Sequence, residues 1–247
     1  MFLTPTKKKL NHLLLILGLI LSFLGCNETP NPTSIIQKSI EAHGGESLWK
    51  SIQKIEYLKE IKLYDSLGQL EQTILQNHYH QWNPSLSIMQ WNVNGSLQRV
   101  EKTPSGISVF ENGEVVTEQK DIAAITRIMD AALYVFWQPF KLLDKNAIMT
   151  YDGINQLLGN QVVHTIRIQY SEEPNADVWH YHFDTETYRL MATQVTHNGQ
   201  ISLIMNESVE EDTGLSLNKL RKSYFINADR SIQYLRADYD YTIVAFE

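Results

Sequence analysis

From Ile52 onward the hydrophobic period of this chain changes to two. Side chains along a strand point alternately to opposite faces, so such runs favour a half-buried sheet. In the first run Ile55, Tyr57, Ile61 and Leu63 alternate with Glu56, Glu60 and Lys62. Only Lys59 departs from the pattern. The stretch "DSLGQ" reads as a turn. Further strands are expected at 70–82, 85–93, 96–102, 106–111 and 114–119, with short connections such as "NVNGS", "TPSG" and "ENGE" between them. Asn-Gly at 94–95 and at 112–113 are hairpin signals, because a type I′ turn needs positive φ at both central residues. Connections this short join antiparallel neighbours, so the expectation is a meander and not βαβ units.

The β pattern is interrupted once. In "KDIAAITRIMDAALYVFWQPFKLL", Ile122, Ile125, Ile128, Met129, Ala132, Leu133 and Phe136 recur at helical spacing. Asp121 is the expected N-cap, and Pro139 ends the segment. Strands then resume. Val162, His164, Ile166, Ile168 and Tyr170 share one face, with Val163, Thr165, Arg167 and Gln169 on the other. Residues 177–210 give three strands with turns at 184–187 and at Asn198-Gly199, and a last pair turns near 227–229. Before the sheet, Thr33 or Ser34 is the expected cap of a helix through Ile35, Ile36, Ile40 and Ala42. Gly44-Gly45 stop it, and 46–51 forms a short second turn of helix.

The first residues follow a different logic. Lys7, Lys8 and Lys9 precede an apolar run over 13–24, and the run ends in Gly25-Cys26. About twenty apolar residues are needed to cross a bilayer as a helix, so this run suits a cleavable export signal. Cys26 is the only cysteine, which excludes an intrachain disulfide and a cysteine-cluster metal site. A small residue before a cysteine at the end of such a run resembles the lipobox of bacterial lipoproteins. That likeness implies cleavage after residue 25 and lipid attachment at Cys26. The alternatives are an unlipidated signal with an incidental cysteine, or an uncleaved signal anchor. The organisation expected is a signal peptide over 1–25, a lipidated tether over 26–33 carrying Pro30 and Pro32, and a single β-domain over 34–247. Loss of the three lysines takes the net charge from −7 to −10, which argues against nucleic acid and against electrostatic adhesion to anionic lipid. Membrane attachment then falls to the acyl chains on Cys26, each buried methylene contributing roughly 0.8 kcal/mol. Asn27 is not the aspartate that retains many lipoproteins at the inner membrane, which favours the outer membrane of a bacterial envelope.

The motif "AHGG…LWKSIQKI", placed before a β-meander with one inserted helix, resembles the start of the LolA/LppX-like lipoprotein group. "YHFDTETYRLMATQV" and the last strands resemble an uncharacterised lipoprotein family common in Bacteroidetes, known as a domain of unknown function. The resemblance implies a mainly β fold: a strongly curved antiparallel sheet, a half-open β-barrel, with the N-terminal and inserted helices covering its concave face. It further implies an apolar hollow that takes a lipid or the acylated end of another protein. The soluble carriers of that group lack an anchor of their own, so an anchored chain fits a fixed receptor or lipid-handling protein better than a shuttle.

Other chemistry is thinly signalled. "HGG" at 43–45 matches an oxyanion-hole loop only if a G-x-S-x-G elbow accompanies it, and the chain has none. No catalytic residue and no cofactor is assigned. His78/His80 and His180/His182 are pairs two apart on strands, able to share a metal only with a third ligand. If Trp179, Tyr181 and Phe183 face the interior, the second pair points outward, so solvated histidines are expected and no metal is assigned. The aromatic set is more informative. Trp179, Tyr181 and Phe183 form a stripe, and Phe136, Trp137 and Phe140 cluster at the end of the inserted helix. These six either fill a solid core or line an acyl-chain cavity, and the resemblance favours the cavity. A solid sheet docking an envelope protein is the other reading, and a hydrolase or metal enzyme a distant third.

Overall fold

The computed structural model describes residues 29–143, 146–170 and 176–247, without the side chains of 119–121. The apolar run, Cys26 and the start of the tether lie outside these residues. Two helices, α1 (Pro32–Ala42) and α2 (Glu46–Ser51), precede six strands: β1 (Lys54–Tyr64), β2 (Leu70–Trp82), β3 (Ser85–Val93), β4 (Ser96–Thr103), β5 (Gly106–Glu111) and β6 (Glu114–Val115). Helix α3 (Gln119–Phe136) follows. Seven strands complete the chain: β7 (Ile148–Gln156), β8 (Val162–Gln169), β9 (Val178–Asp184), β10 (Leu190–His197), β11 (Gln200–Glu210), β12 (Leu217–Ile226) and β13 (Ile232–Phe246).

All thirteen strands belong to one antiparallel sheet in the order β6-β5-β4-β3-β2-β1-β13-β12-β11-β10-β9-β8-β7. Two meanders therefore meet where the first strand pairs the last, with Ile61 opposite Tyr239 and Lys59 opposite Tyr241. The sheet is not closed: β6 and β7 are its two edges. Helix α3 is the connection between those edges. Helix α3 seats Met129 on Met89 of β3 and Val100 of β4 and stacks Phe136 on Tyr57 of β1, so it lies across the concave face of the curved sheet.

Hairpin chemistry is as the sequence indicates. Asn94, Asn112 and Asn198 have φ near 50°, each followed by a glycine at positive φ, as a type I′ turn requires. Several boundaries differ from the sequence reading. Helix α1 starts earlier, with Asn31 as N-cap: its side chain accepts a hydrogen bond from the Thr33 N–H at 2.9 Å, and Pro32, with no N–H to satisfy, occupies the first turn. Ordered helix thus reaches into the 26–33 segment. The strand expected over 114–119 is only the two residues of β6, and α3 begins at Gln119, ahead of the expected Asp121 cap. Strand β7 had no counterpart in the sequence reading. It is an edge strand whose burial alternates throughout, with a register shift between Tyr151 and Ile154, but Ile148 and Ile154 fall on its exposed positions, so its apolar residues show no period of two.

Gly44 shows why "HGG" ends a helix here. Its φ is +107°, and a Cβ would stand 2.6 Å from the Gly214 carbonyl oxygen. Backbone contact at this point is direct, with the Ser216 N–H donating to the His43 carbonyl at 3.0 Å.

The main core gathers Ile35, Ile36 and Ile40 of α1, Ile55 and Tyr57 of β1, Ile166 and Ile168 of β8, and Leu215 and Leu217, under the end of α3. A smaller cluster seats Met129 of α3 on Met89 and Val100. On the convex face, Leu157 and Leu158 cover Ala192, Leu203, Met205 and Ile226. Every member of these clusters lies within the compact unit Asn31–Glu247, which therefore has a core of its own. Among the described residues no helix is long and apolar enough to cross a membrane.

Candidate functional site

Between α3 and the concave face lies a cavity of about 440 Å³. Ile61 and Leu63 of β1, Ile74 of β2 and Ile204 of β11 form its sheet wall. Ile128, Ala131, Ala132 and Val135 form its helix wall. The small side chains of Ala131 and Ala132 leave space between helix and sheet unfilled. At the deep end Tyr57 is sandwiched between Phe136 (ring centroids 4.0 Å apart, planes 7° apart) and His78 (4.5 Å, 7°). Such pairs contribute about 0.5–1.5 kcal/mol each beyond their buried area, and they make that end rigid.

One step up the same face of β1 from Tyr57, the lining turns polar. Lys59, Gln76, Gln138, Thr193, Arg221, Tyr239 and Tyr241 converge there. Arg221 is only 3% exposed, and its Nε donates to Asn206 Oδ1 at 2.8 Å. Asn206 is itself fixed by a hydrogen bond from Nδ2 to the Leu190 carbonyl at 2.7 Å. Lys59 Nζ stands 5.1 Å from the centroid of the Tyr239 ring and 5.4 Å from that of Tyr241, within cation–π range. Burial pushes the Tyr241 phenol up, but the Lys59 and Arg221 cations facing it outweigh burial and leave its pKa below the ordinary tyrosine value. Among the described residues no carboxylate lines the cavity, and neither Lys59 nor Arg221 takes part in an ion pair.

Of the six aromatics singled out in the sequence, Trp179 lines this cavity. Phe136, Tyr181 and Phe183 are packed in the main core at 1% exposure or less. Phe140 is also buried and stacks on Trp49 at 5.3 Å. Trp137, buried as well, meets Trp82 edge-on at 5.3 Å and borders a second, smaller cavity of about 300 Å³. Five of the six side chains are thus packed in the main core and do not line this cavity.

Of the four histidines expected at the solvent, three are buried, and His180 is half-buried beside Asp152. His78 and His80 lie on the concave face with Tyr57 and are buried, and burial holds both below the usual imidazole pKa, His80 at about 4. His182 does face away from Trp179, Tyr181 and Phe183. That side is roofed by the 157–160 segment, so His182 is buried too, within 3.0 Å of Thr165 Oγ1 and with its pKa pressed to about 3. Among the described residues no three His, Cys, Asp or Glu side chains gather as metal ligands.

Sequence reasoning noted Lys59 only as a break in phase, and that break marks the site. Arg221 carried no signal, because "NKLRKS" places a cation on both faces of its strand.

No family model matches this chain, and no curated protein matches it. Solved structures do. A DUF1329 family protein from Desulfovibrio piger superposes over 87% of this chain and 92% of its own, with a TM-score of 0.50 at 8% identity. The Mycobacterium tuberculosis lipoprotein LppX matches over 87% of this chain and 96% of its own, at 10% identity and a TM-score of 0.31. MucB matches over 87% of this chain and 58% of its own, at 13% identity and a TM-score of 0.24. At these identities the likeness is one of fold, carried by the first of the three: a broad, curved, open antiparallel sheet.

Proposed function

We propose that this chain is a membrane-anchored envelope lipoprotein that binds a hydrophobic ligand, a lipid or the acylated end of a protein, beneath α3. The observation that carries the reading is the 440 Å³ cavity with aliphatic walls from both sheet and helix, within the roughly 300–1,000 Å³ of small-molecule sites. An aliphatic chain entering it gains roughly 25 cal/mol per Å² of apolar surface removed from water, less the cost of ordering it. Helix α3 is the wall that lies outside the sheet's hydrogen-bonded ladder, so it is the element that moves to admit a ligand. The polar groups on the lining are cations, amides, phenols and the Thr193 hydroxyl, all able to hold the polar end of a ligand. Anchoring rests on residues 7–26. Cys26→Ser should move the protein from the membrane fraction to the soluble fraction of cells, and unchanged partitioning would sink the anchor.

A native mass spectrum of purified residues 27–247 tests the binding reading. A co-purified mass lost on denaturation, or uptake of added fatty acid or phospholipid, is expected. A clean apo mass with no uptake would leave a solid interaction module as the better account.

A further inference from the structure

We infer that the ligand is an amphiphile with an anionic head, carboxylate or phosphate, and that it binds head-inward, with the head between Lys59 and Arg221 and the tail running out along Ile61, Leu63 and Ile74. This rests on reading the cavity as a ligand site, and it adds the chemistry and polarity of what enters.

Three observations carry it. The first is an uncompensated pair of cations. A buried charge is ordinarily matched by an opposite one, and two like charges in one hollow raise that cost further. Arg221 is buried and Lys59 half-buried, and both face Tyr241, yet among the described residues no acidic side chain lines the cavity and neither cation takes part in an ion pair. A bound anion supplies the missing charge. The second is that the cations are held in place. Asn206 orients the guanidinium through Nε and the Tyr241 phenol accepts a hydrogen bond from the same side chain, which leaves the remaining N–H groups to donate to a carboxylate or phosphate beside the phenol. The rings of Tyr239 and Tyr241 flank the ammonium. The third is the order of residues along β1. The buried end at Ile55 and Tyr57 is followed by Lys59, and only then by Ile61 and Leu63, toward the turn at 65–69. Lys59 is thus deeper than the aliphatic wall, and Arg221, paired with Tyr239, which in turn pairs with Ile61, stands beside the inner end of that wall. From Lys59 to Leu63 that wall runs about 13 Å, at roughly 3.3 Å per residue, along which a single extended chain can lie.

The test is a fluorescence titration of residues 27–247 with cis-parinaric acid and with its methyl ester, which share a tail and differ in head charge. The acid should bind at least about tenfold more tightly than the ester, the scale of one charge-assisted hydrogen bond. In Lys59→Met that preference should collapse through weaker acid binding, and likewise in Arg221→Gln. Circular dichroism checks that each variant folds, and if Arg221→Gln does not, Lys59→Met decides. Acid and ester binding equally to the unaltered protein would overturn the anionic head and leave the hydrophobic cavity standing. Binding of neither would overturn the cavity reading as well. A preference that survives in every folded variant would remove the cations from the account. Inorganic phosphate that displaces the acid as effectively as unlabelled fatty acid does would make the pair a site for free anions and overturn the amphiphile.

Discussion

Lys59 places a charge on the face of β1 that otherwise buries Ile55 and Tyr57, and a strand tolerates that only where its neighbours or a ligand solvate the ammonium. The buried histidines are the converse case, polar rings held neutral inside the fold. An unfolded imidazole protonates near pH 6.5. In the folded chain burial delays protonation of His80 to about pH 4 and of His182 to about pH 3, and depresses His78 as well. Between those values the unfolded state binds more protons than the folded state. Stability is therefore fully present above about pH 6.5 and falls as the solution is acidified, by roughly 1.4 kcal/mol per pH unit for each such histidine. Urea midpoints followed across this window should drop accordingly, and His80→Gln, which cannot protonate, should show a shallower decline. An identical slope in that variant would assign the acid sensitivity to other groups.

At the scale of elements, α3 is both crossover and roof. Its amphipathic pattern was plain in the sequence, and Met129, Leu133 and Phe136 do face the sheet. What the pattern did not announce is that Ile128, Ala131 and Val135 overhang an unfilled space. Ala131 is exposed yet borders the cavity, so a large ring there enters the cavity without disturbing the core. Ala131→Trp should leave the circular dichroism spectrum and melting temperature near those of the parent and lower fatty-acid uptake by about tenfold, close to 1.4 kcal/mol. Undiminished uptake would place the ligand elsewhere. The second cavity, bordered by Trp137 and His80, is the first alternative such a result would raise.

For the whole molecule, the pairing of the first strand with the last decides where rigidity lies. Strands β1 and β13 sit at the junction of the two meanders, each hydrogen-bonded on both sides, and Glu247 extends the pairing through Gln53 and Lys54. At one margin β6 is two exposed residues held by β5 alone. Opening free energies vary across a structure with exactly such differences in burial and bonding. Hydrogen exchange followed by mass spectrometry should find the slowest amides in β1 and β13 and the fastest in β5 and β6. Uniform protection from edge to junction would contradict a sheet open at its margins.

The sequence by itself determined the local plan. Period-two runs defined most strands, Asn-Gly pairs closed three hairpins at positive φ, and one helical repeat defined α3, because each of these is decided within a few residues. Cap choice and one edge strand escaped it where two signals competed, as at Asn31 against Thr33, or where apolar residues occupy exposed positions, as Ile148 and Ile154 do in β7. Only the tertiary structure decided which aromatics fill and which line. Tyr181 and Phe183 share their face of β9 with Trp179 and read alike in the sequence, and the difference is the volume left after distant elements close over them. The same holds for the site. Lys59 and Arg221 come from opposite ends of the chain and meet because β1 pairs β13 and β13 pairs β12, a long-range closure that no local pattern encodes.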